Sequence, residues 1–148
     1  YTDNFKSGRE LVHLLLDVVS KGGNLALNLA PQPDGMLPQP AVRSLREMGA
    51  WLKMFGDGIY ETHLCAPYFE ENLFYTQKAD TVFAFYAYDD VPVLPKKLTL
   101  HTEKPVSKVT CKRTGQTVKF RKADNSVTLF LEEIAMGGAF YAECFVLE

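Results

Sequence analysis

Two side-chain amides, Asn24 and Asn28, stand four residues apart in the run Lys21-Gly22-Gly23-Asn24-Leu25-Ala26-Leu27-Asn28-Leu29-Ala30-Pro31-Gln32-Pro33-Asp34-Gly35. With a period of two they share a face with Ala26, while Leu25, Leu27 and Leu29 occupy the other. Turned toward a ligand, such amides could hydrogen-bond it or orient a catalytic neighbour. Turned into the protein, they would satisfy buried backbone groups between strands. Both roles stay open on the sequence. Acid/base chemistry needs two carboxyl groups facing one reacting atom, and none can be paired. Asp34 belongs to an Asp-Gly turn, where an Asx-type bond to its own backbone is the expected job. Glu61, Glu70 and Glu71 fall in an expected linker. Glu132 and Glu133 are adjacent at a strand end, so they point to opposite faces. His13, Asp17 and Lys21 recur every four residues and read as a solvated helical face carrying an ion pair. His63 and Cys65 lack a visible acidic orienter, which makes a poor thiol nucleophile, and His101 reads as structural. No catalytic residue is assigned.

Composition excludes several classes. The chain has 148 residues, a formal charge of -2 and 47% hydrophobic residues, 12% of the chain being aromatic, which describes a folded, well-cored protein. The basic residues are scattered, so no field for nucleic acid or anionic membrane arises. Cys65, Cys111 and Cys144 are an odd number without C-x-x-C spacing, which argues against a zinc site or a disulfide scaffold and for buried free thiols, one bridge remaining an alternative. The longest apolar block, Leu11 to Val19, is too short to span a bilayer and carries His13 and Asp17. There is no G-x-S-x-G, H-E-x-x-H, P-loop or G-x-G-x-x-G.

The elements that must position these groups change character along the chain. Ser7-Gly8-Arg9-Glu10 is a capping box, and the helix after it places Leu11, Val12, Leu15, Leu16 and Val19 on one face. Gly22-Gly23 can end that helix with a left-handed residue. Asn24 to Leu29 alternates as a strand whose outer face packs on helices and whose inner face carries small or amide residues, the requirement of a β/α barrel strand. Pro31, Pro33 and Asp34-Gly35 then fix a turn. Pro40 opens a second helix with a stripe of Val42, Leu45, Met48 or Gly49, Leu52 and Phe55, closed by Gly56. The lone tryptophan, Trp51, lies mid-helix at core spacing. From Leu73 the pattern becomes short strands: Phe74–Thr76, Thr81–Tyr88, Leu98–His101, Lys108–Cys111, Thr117–Arg121, Val127–Leu131 and Ala139–Leu147. Turns at Thr114-Gly115, Asp124-Asn125 and Gly137-Gly138 space them as in an antiparallel sandwich. The expected fold is thus α/β plus all-β: the last βα units of a (β/α)8-type barrel over 1–62, then an antiparallel β-sandwich over 63–148.

The runs VVSKGGNLALNLAPQPDGMLP and VRSLREMGAWLKMFGDGIYET resemble the end of the catalytic barrel of α-L-fucosidases, the family-29 glycoside hydrolases. That family carries G-N-L-L-L-N-(I/V)-(G/A)-P-x-x-D-G at its last barrel strand, then L-R-x-(M/I)-G-x-W-L and I-Y-x-T. The match is dense over Ser7 to Thr62 and looser beyond, where Phe74–Lys78 and Thr117–Phe120 resemble the family's sandwich domain. Ala26 stands where the family has a larger aliphatic residue, and Glu61 replaces a frequent glycine. The resemblance implies hydrolysis of terminal α-L-fucosyl bonds with retention, an aspartate nucleophile and a carboxylic acid/base both lying upstream, and no cofactor or metal. It makes Asn28, at the strand's C-terminal end, the candidate substrate-binding residue, able to bond sugar hydroxyls. It also implies that Trp51 packs between helix and barrel. The chain opens on Tyr1, and a barrel takes about 250 residues, so it reads as the C-terminal third of a longer enzyme. Implied partners are a fucosylated glycan and the upstream barrel of the same protein, without nucleic acid or membrane span; a homo-oligomer stays open. The favoured compartments are periplasm, lysosome or secretion. One rival reading is a non-catalytic carbohydrate-binding or scaffolding protein with a degenerate barrel. Another makes the sandwich itself a sugar-binding module, which asks for aromatics exposed on one sheet face; Phe83, Phe85, Tyr86 and Tyr88 occupy both faces of one strand.

Overall fold

A computed structural model of the chain describes residues 4–134 and 141–148; Gly137-Gly138 and the first residues of the expected last strand fall outside them. Two helices, α1 (Gly8–Ser20) and α2 (Gln39–Phe55), and a 3-10 turn at Gly56–Gly58 precede eight strands: β1 (His63–Glu70), β2 (Leu73–Lys78), β3 (Thr81–Ala87), β4 (Lys97–His101), β5 (Val109–Cys111), β6 (Lys119–Ala123), β7 (Ser126–Phe130) and β8 (Ala142–Leu147). One antiparallel sheet has the order β1-β2-β3-β8-β5 and the other β4-β7-β6.

The layers follow from side-chain alternation. On β3, Val82 and Ala84 point into a core shared with Leu98 and Leu100 of β4 and Val127 and Leu129 of β7. Phe83 and Phe85 point the other way, into a core shared with Leu11, Val12, Leu15 and Leu16 of α1 and Met48, Trp51 and Phe55 of α2. The same division runs along β8, with Phe145 and Leu147 between the sheets and Ala142 and Cys144 under the helices. A central strand covered on both faces must be apolar on both faces, and this accounts for the aromatics of β3. Trp51 is fully buried, its ring 5.7 Å from that of Phe85 and 5.1 Å from that of Phe55. Its indole N–H donates to the Ala142 carbonyl at 3.1 Å, so here the tryptophan packs α2 against the sheet. The chain crosses beneath it at Gly58, where a Cβ would lie 2.6 Å from Phe85 Cζ and 2.9 Å from Phe83 Cδ1.

Three elements differ from the sequence expectation. The stretch Asn24 to Leu29 enters neither sheet and runs mostly exposed. A strand needs a neighbour's N–H and C=O groups, and among the described residues none lies beside it. The expected linker instead holds β1. As the edge of its sheet it tolerates Pro67, and its register against β2 shifts between Leu64 and Phe69, with Tyr68 at φ 74°. Glu70 therefore belongs to a strand, not a linker. On α2 the deepest face is Ala41, Ser44, Met48, Trp51 and Phe55, while Leu45 and Leu52 lie half-buried beside it. The largest rings turn the helix by about one position from the expected stripe.

Candidate functional site

Local chemistry sets the backbone around Asn28. At the start of α1 the Ser7 hydroxyl accepts from the Glu10 amide, and Glu10 accepts from the Ser7 amide at 2.7 Å. At its end Gly22 takes φ 80°, which only glycine adopts freely. The Gly22 amide donates to the Val19 carbonyl and the Gly23 amide to the Val18 carbonyl, a Schellman closure that satisfies two end carbonyls. The chain then runs extended through Asn24 and Asn28 to a turn in which the Gln32 amide donates to the Met36 carbonyl and the Gly35 amide to the Gln32 carbonyl, each at 2.8 Å. Asp34 Oδ1 accepts from the Met36 amide at 2.9 Å. This is the Asx bond expected of it, and it occupies the carboxylate with its own turn.

Asn24 opens on a cleft of about 690 Å³ between the end of α1 and the start of β1, lined also by Val19, Leu25, Tyr60, Glu61 and His63. Asn28 is exposed further along the segment and is not among that cleft's lining residues. The two amides are thus on one continuous exposed segment but not brought to one carboxylate pair.

Several acids have structural partners. Asp17 pairs with Lys21, Glu47 with Arg43, Asp57 with Lys112 and Glu133 with Lys119. His13 is half-buried, with Nε2 2.9 Å from the Tyr141 carbonyl, so it docks α1 to the start of β8 and does not share the Asp17 pair. Two arrangements are not apparent from spacing. Glu143, 1% exposed, accepts from Arg113 Nε at 2.7 Å; the guanidinium is held above its ordinary value by that bond, despite the opposing cost of burial. Glu70, Tyr75 and His101 meet at the seam of the two sheets: the Tyr75 hydroxyl donates to Glu70 Oε2 at 2.9 Å, and His101 Nδ1 lies 2.9 Å from Oε1. Burial pushes the Tyr75 phenol well up, which keeps it a donor. His101 comes from the outward face of β4, but its partner lies on a strand hidden by Pro67, so only half of the pair was legible.

The thiols are free and buried. Burial raises Cys65 and Cys144, away from thiolate reactivity, and His63 is exposed while Cys65 is not. Among the described residues no three His, Cys, Asp or Glu side chains gather as a metal site requires, and no helix is long and apolar enough to cross a membrane.

Residues 1–57, which hold both asparagines and the Asp34 turn, match the family model described as alpha-L-fucosidase. Residues 1–57 resemble α-L-fucosidase sequence. The chain is similar to the plasma α-L-fucosidase of Rattus norvegicus, 52% identical over 54 residues that make up 36% of this chain and 12% of that protein. It is also similar to the tissue α-L-fucosidase of Homo sapiens, 31% identical over 108 residues, 71% of this chain and 22% of that one. The solved α-fucosidase of Thermotoga maritima in complex with fucose superposes on 98% of this chain and 35% of its own, with TM-score 0.78 and 27% identity. The fucosidase likeness therefore runs through both the helices and the two sheets. The chain spans roughly an eighth to a fifth of the length of these two curated relatives.

Proposed function

We propose that this chain is the C-terminal portion of a retaining exo-α-L-fucosidase that hydrolyses terminal α-L-fucosyl linkages of glycans. The observation that carries the reading is the joint match: the α-L-fucosidase family model over residues 1–57, and a fucose-bound fucosidase along nearly the whole chain. In this reading residues 1–62 supply the last strand and helices of the catalytic barrel and residues 63–148 form the β-sandwich behind it. Asn24 to Leu29 would gain its ladder from neighbouring barrel strands, and Asn28, at the C-terminal end of that strand, would bond a fucose hydroxyl or hold a catalytic neighbour.

Retention requires a nucleophilic carboxylate and an acid/base about 5–5.5 Å apart on either side of the anomeric carbon. Asp17, Asp34, Glu47, Asp57, Glu70, Glu133 and Glu143 are each engaged in a turn, a hydrogen bond or an ion pair, which supports placing both catalytic groups upstream on other strands. The partners are then a fucosylated glycan and that upstream barrel, and the setting is periplasmic, lysosomal or secreted. The test is turnover of an aryl α-L-fucoside by the intact parent polypeptide with the 148-residue chain alongside. Turnover by the parent and none by the chain is expected. A parent that binds fucose without turnover would favour a degenerate, non-catalytic barrel, and turnover by the chain alone would overturn the placement of the carboxylates.

A further inference from the structure

A second cleft, of about 440 Å³, lies where the β1–β2 turn, β3 and β4 meet, and it shares no lining residue with the Asn24 cleft. Its walls include Glu70, Asn72, Tyr86, Lys97, Thr99 and His101. The Tyr86 ring is half-buried and set edge-on against Tyr88, with centroids 5.7 Å apart at 83°, so one fixed aromatic surface reaches the cleft. Glu70 is locked from behind by the Tyr75 hydroxyl and from the side by His101. Its carboxylate thus meets the cleft without rotamer freedom left to lose. The turn that carries Asn72 is tied down by its carbonyl, which accepts from the Ala87 amide at 2.8 Å. Lys97 reaches back over the Phe130 ring at 5.7 Å.

A fixed aromatic surface with a carboxylate, an amide and a hydroxyl around it suits a ring that is apolar on one face and edged with hydroxyls. Glu70 and Glu71 face Lys97 and His101 across the lining, so it selects neither anions nor cations strongly. The volume lies in the range of small-ligand pockets, about 300–1,000 Å³. We propose that this cleft is a saccharide-binding site that takes one neutral pyranose residue, the ring stacking on Tyr86 and its hydroxyls bonding Glu70, Asn72 and Thr99. The site would hold a sugar of the glycan apart from the bond being cleaved, and its existence does not depend on hydrolysis.

The test is an NMR titration of the 148-residue chain with methyl α-L-fucopyranoside, methyl β-D-galactopyranoside and methyl N-acetyl-β-D-glucosaminide, read at the ring protons of Tyr86 and His101. A saturable shift with at least one probe is expected, at a dissociation constant on the order of millimolar. Tyr86→Leu and Glu70→Gln should each weaken it about tenfold, the scale of one lost stacking or charged hydrogen-bond contact. Tyr86→Phe should hold it within about threefold. If Tyr86→Leu loses its dispersed spectrum, Asn72→Ala on the exposed turn replaces it, with at least about threefold weakening expected. No saturable shift with any probe, shifts centred on His63, or constants unchanged in Glu70→Gln and Asn72→Ala would each overturn the proposal. Turnover by the parent enzyme is untouched by any of these results, so this failure and a failure of the fucosidase reading are distinguishable.

Discussion

Removing Arg113 should be among the most damaging single changes outside the apolar cores. Its Nε lies 2.7 Å from Glu143 Oε2, and the two side chains are 10% and 1% exposed. At that separation an effective dielectric near 20 gives roughly 6 kcal/mol of attraction, which is offset by several kcal/mol of lost hydration on each ion. The net worth of the pair is therefore small. The cost of halving it is not, because the Glu143 charge stays buried while its compensation is gone. Arg113→Met should lose about 3–5 kcal/mol, a large part of the roughly 5–15 kcal/mol that holds an ordinary domain. In urea the midpoint should fall by roughly 2 M at an ordinary dependence on denaturant. Arg113→Met with Glu143→Leu should recover most of the loss, since no unpaired charge then remains. A loss below about 1 kcal/mol in the single variant, or a double variant no better than the single, would refute the reasoning: the first would mean that water screens the pair, the second that Arg113 acts through packing.

Trp51→Ala opens the helix–sheet core at its largest side chain and should cost about 3–5 kcal/mol, followed by far-ultraviolet circular dichroism in denaturant since the lone tryptophan is lost. Gly58→Ala should destabilise by about 1–3 kcal/mol because its Cβ meets Phe85 and Phe83 in an already filled core. Gly49→Ala, mid-helix with open space at the Cβ, should stabilise the 148-residue chain by about 0.5–1 kcal/mol, and both changes can be read from one set of thermal melts. Glu10 is held below its ordinary value of 4.5 by the Ser7 amide and hydroxyl. A lowered carboxylate contributes stability that is present above its unfolded value and lost as pH falls through the folded one. Glu10→Gln should therefore lower the melting temperature most above pH 4.5 and converge with the native chain as pH falls through the lowered carboxylate value.

Much of the fold was legible wherever the deciding interactions are short in sequence. Ser7 and Glu10 are three residues apart, the Gly22-Gly23 closure reaches back three and five, and Asp34 bonds its own turn. Strands β4 to β7 announce themselves by period-two alternation between turn residues, and β3 by apolarity on both faces. β1 did not, because Pro67 and the register shift break the alternation that marks a strand. The α2 face was displaced because counting apolar positions weights Val42 and Leu45 equally with Trp51, while area buried weights the rings.

The site was less legible for a physical reason of its own. Glu70 and His101 are 31 residues apart and Arg113 and Glu143 are 30 apart; each pair exists only because the sheets bring distant strands into register. The Asn24 to Leu29 pattern has the opposite character. It is locally unmistakable as a strand, yet it cannot become one without ladder partners, and its leucines remain at least partly exposed here. Leu27, Met36 and Leu37 are exposed along the same segment, large apolar side chains that would cost least if another element covered them. A strand pattern without a sheet, flanked by uncovered apolar residues over Asn24 to Leu29, supports the proposal that this segment closes a barrel with strands outside this chain.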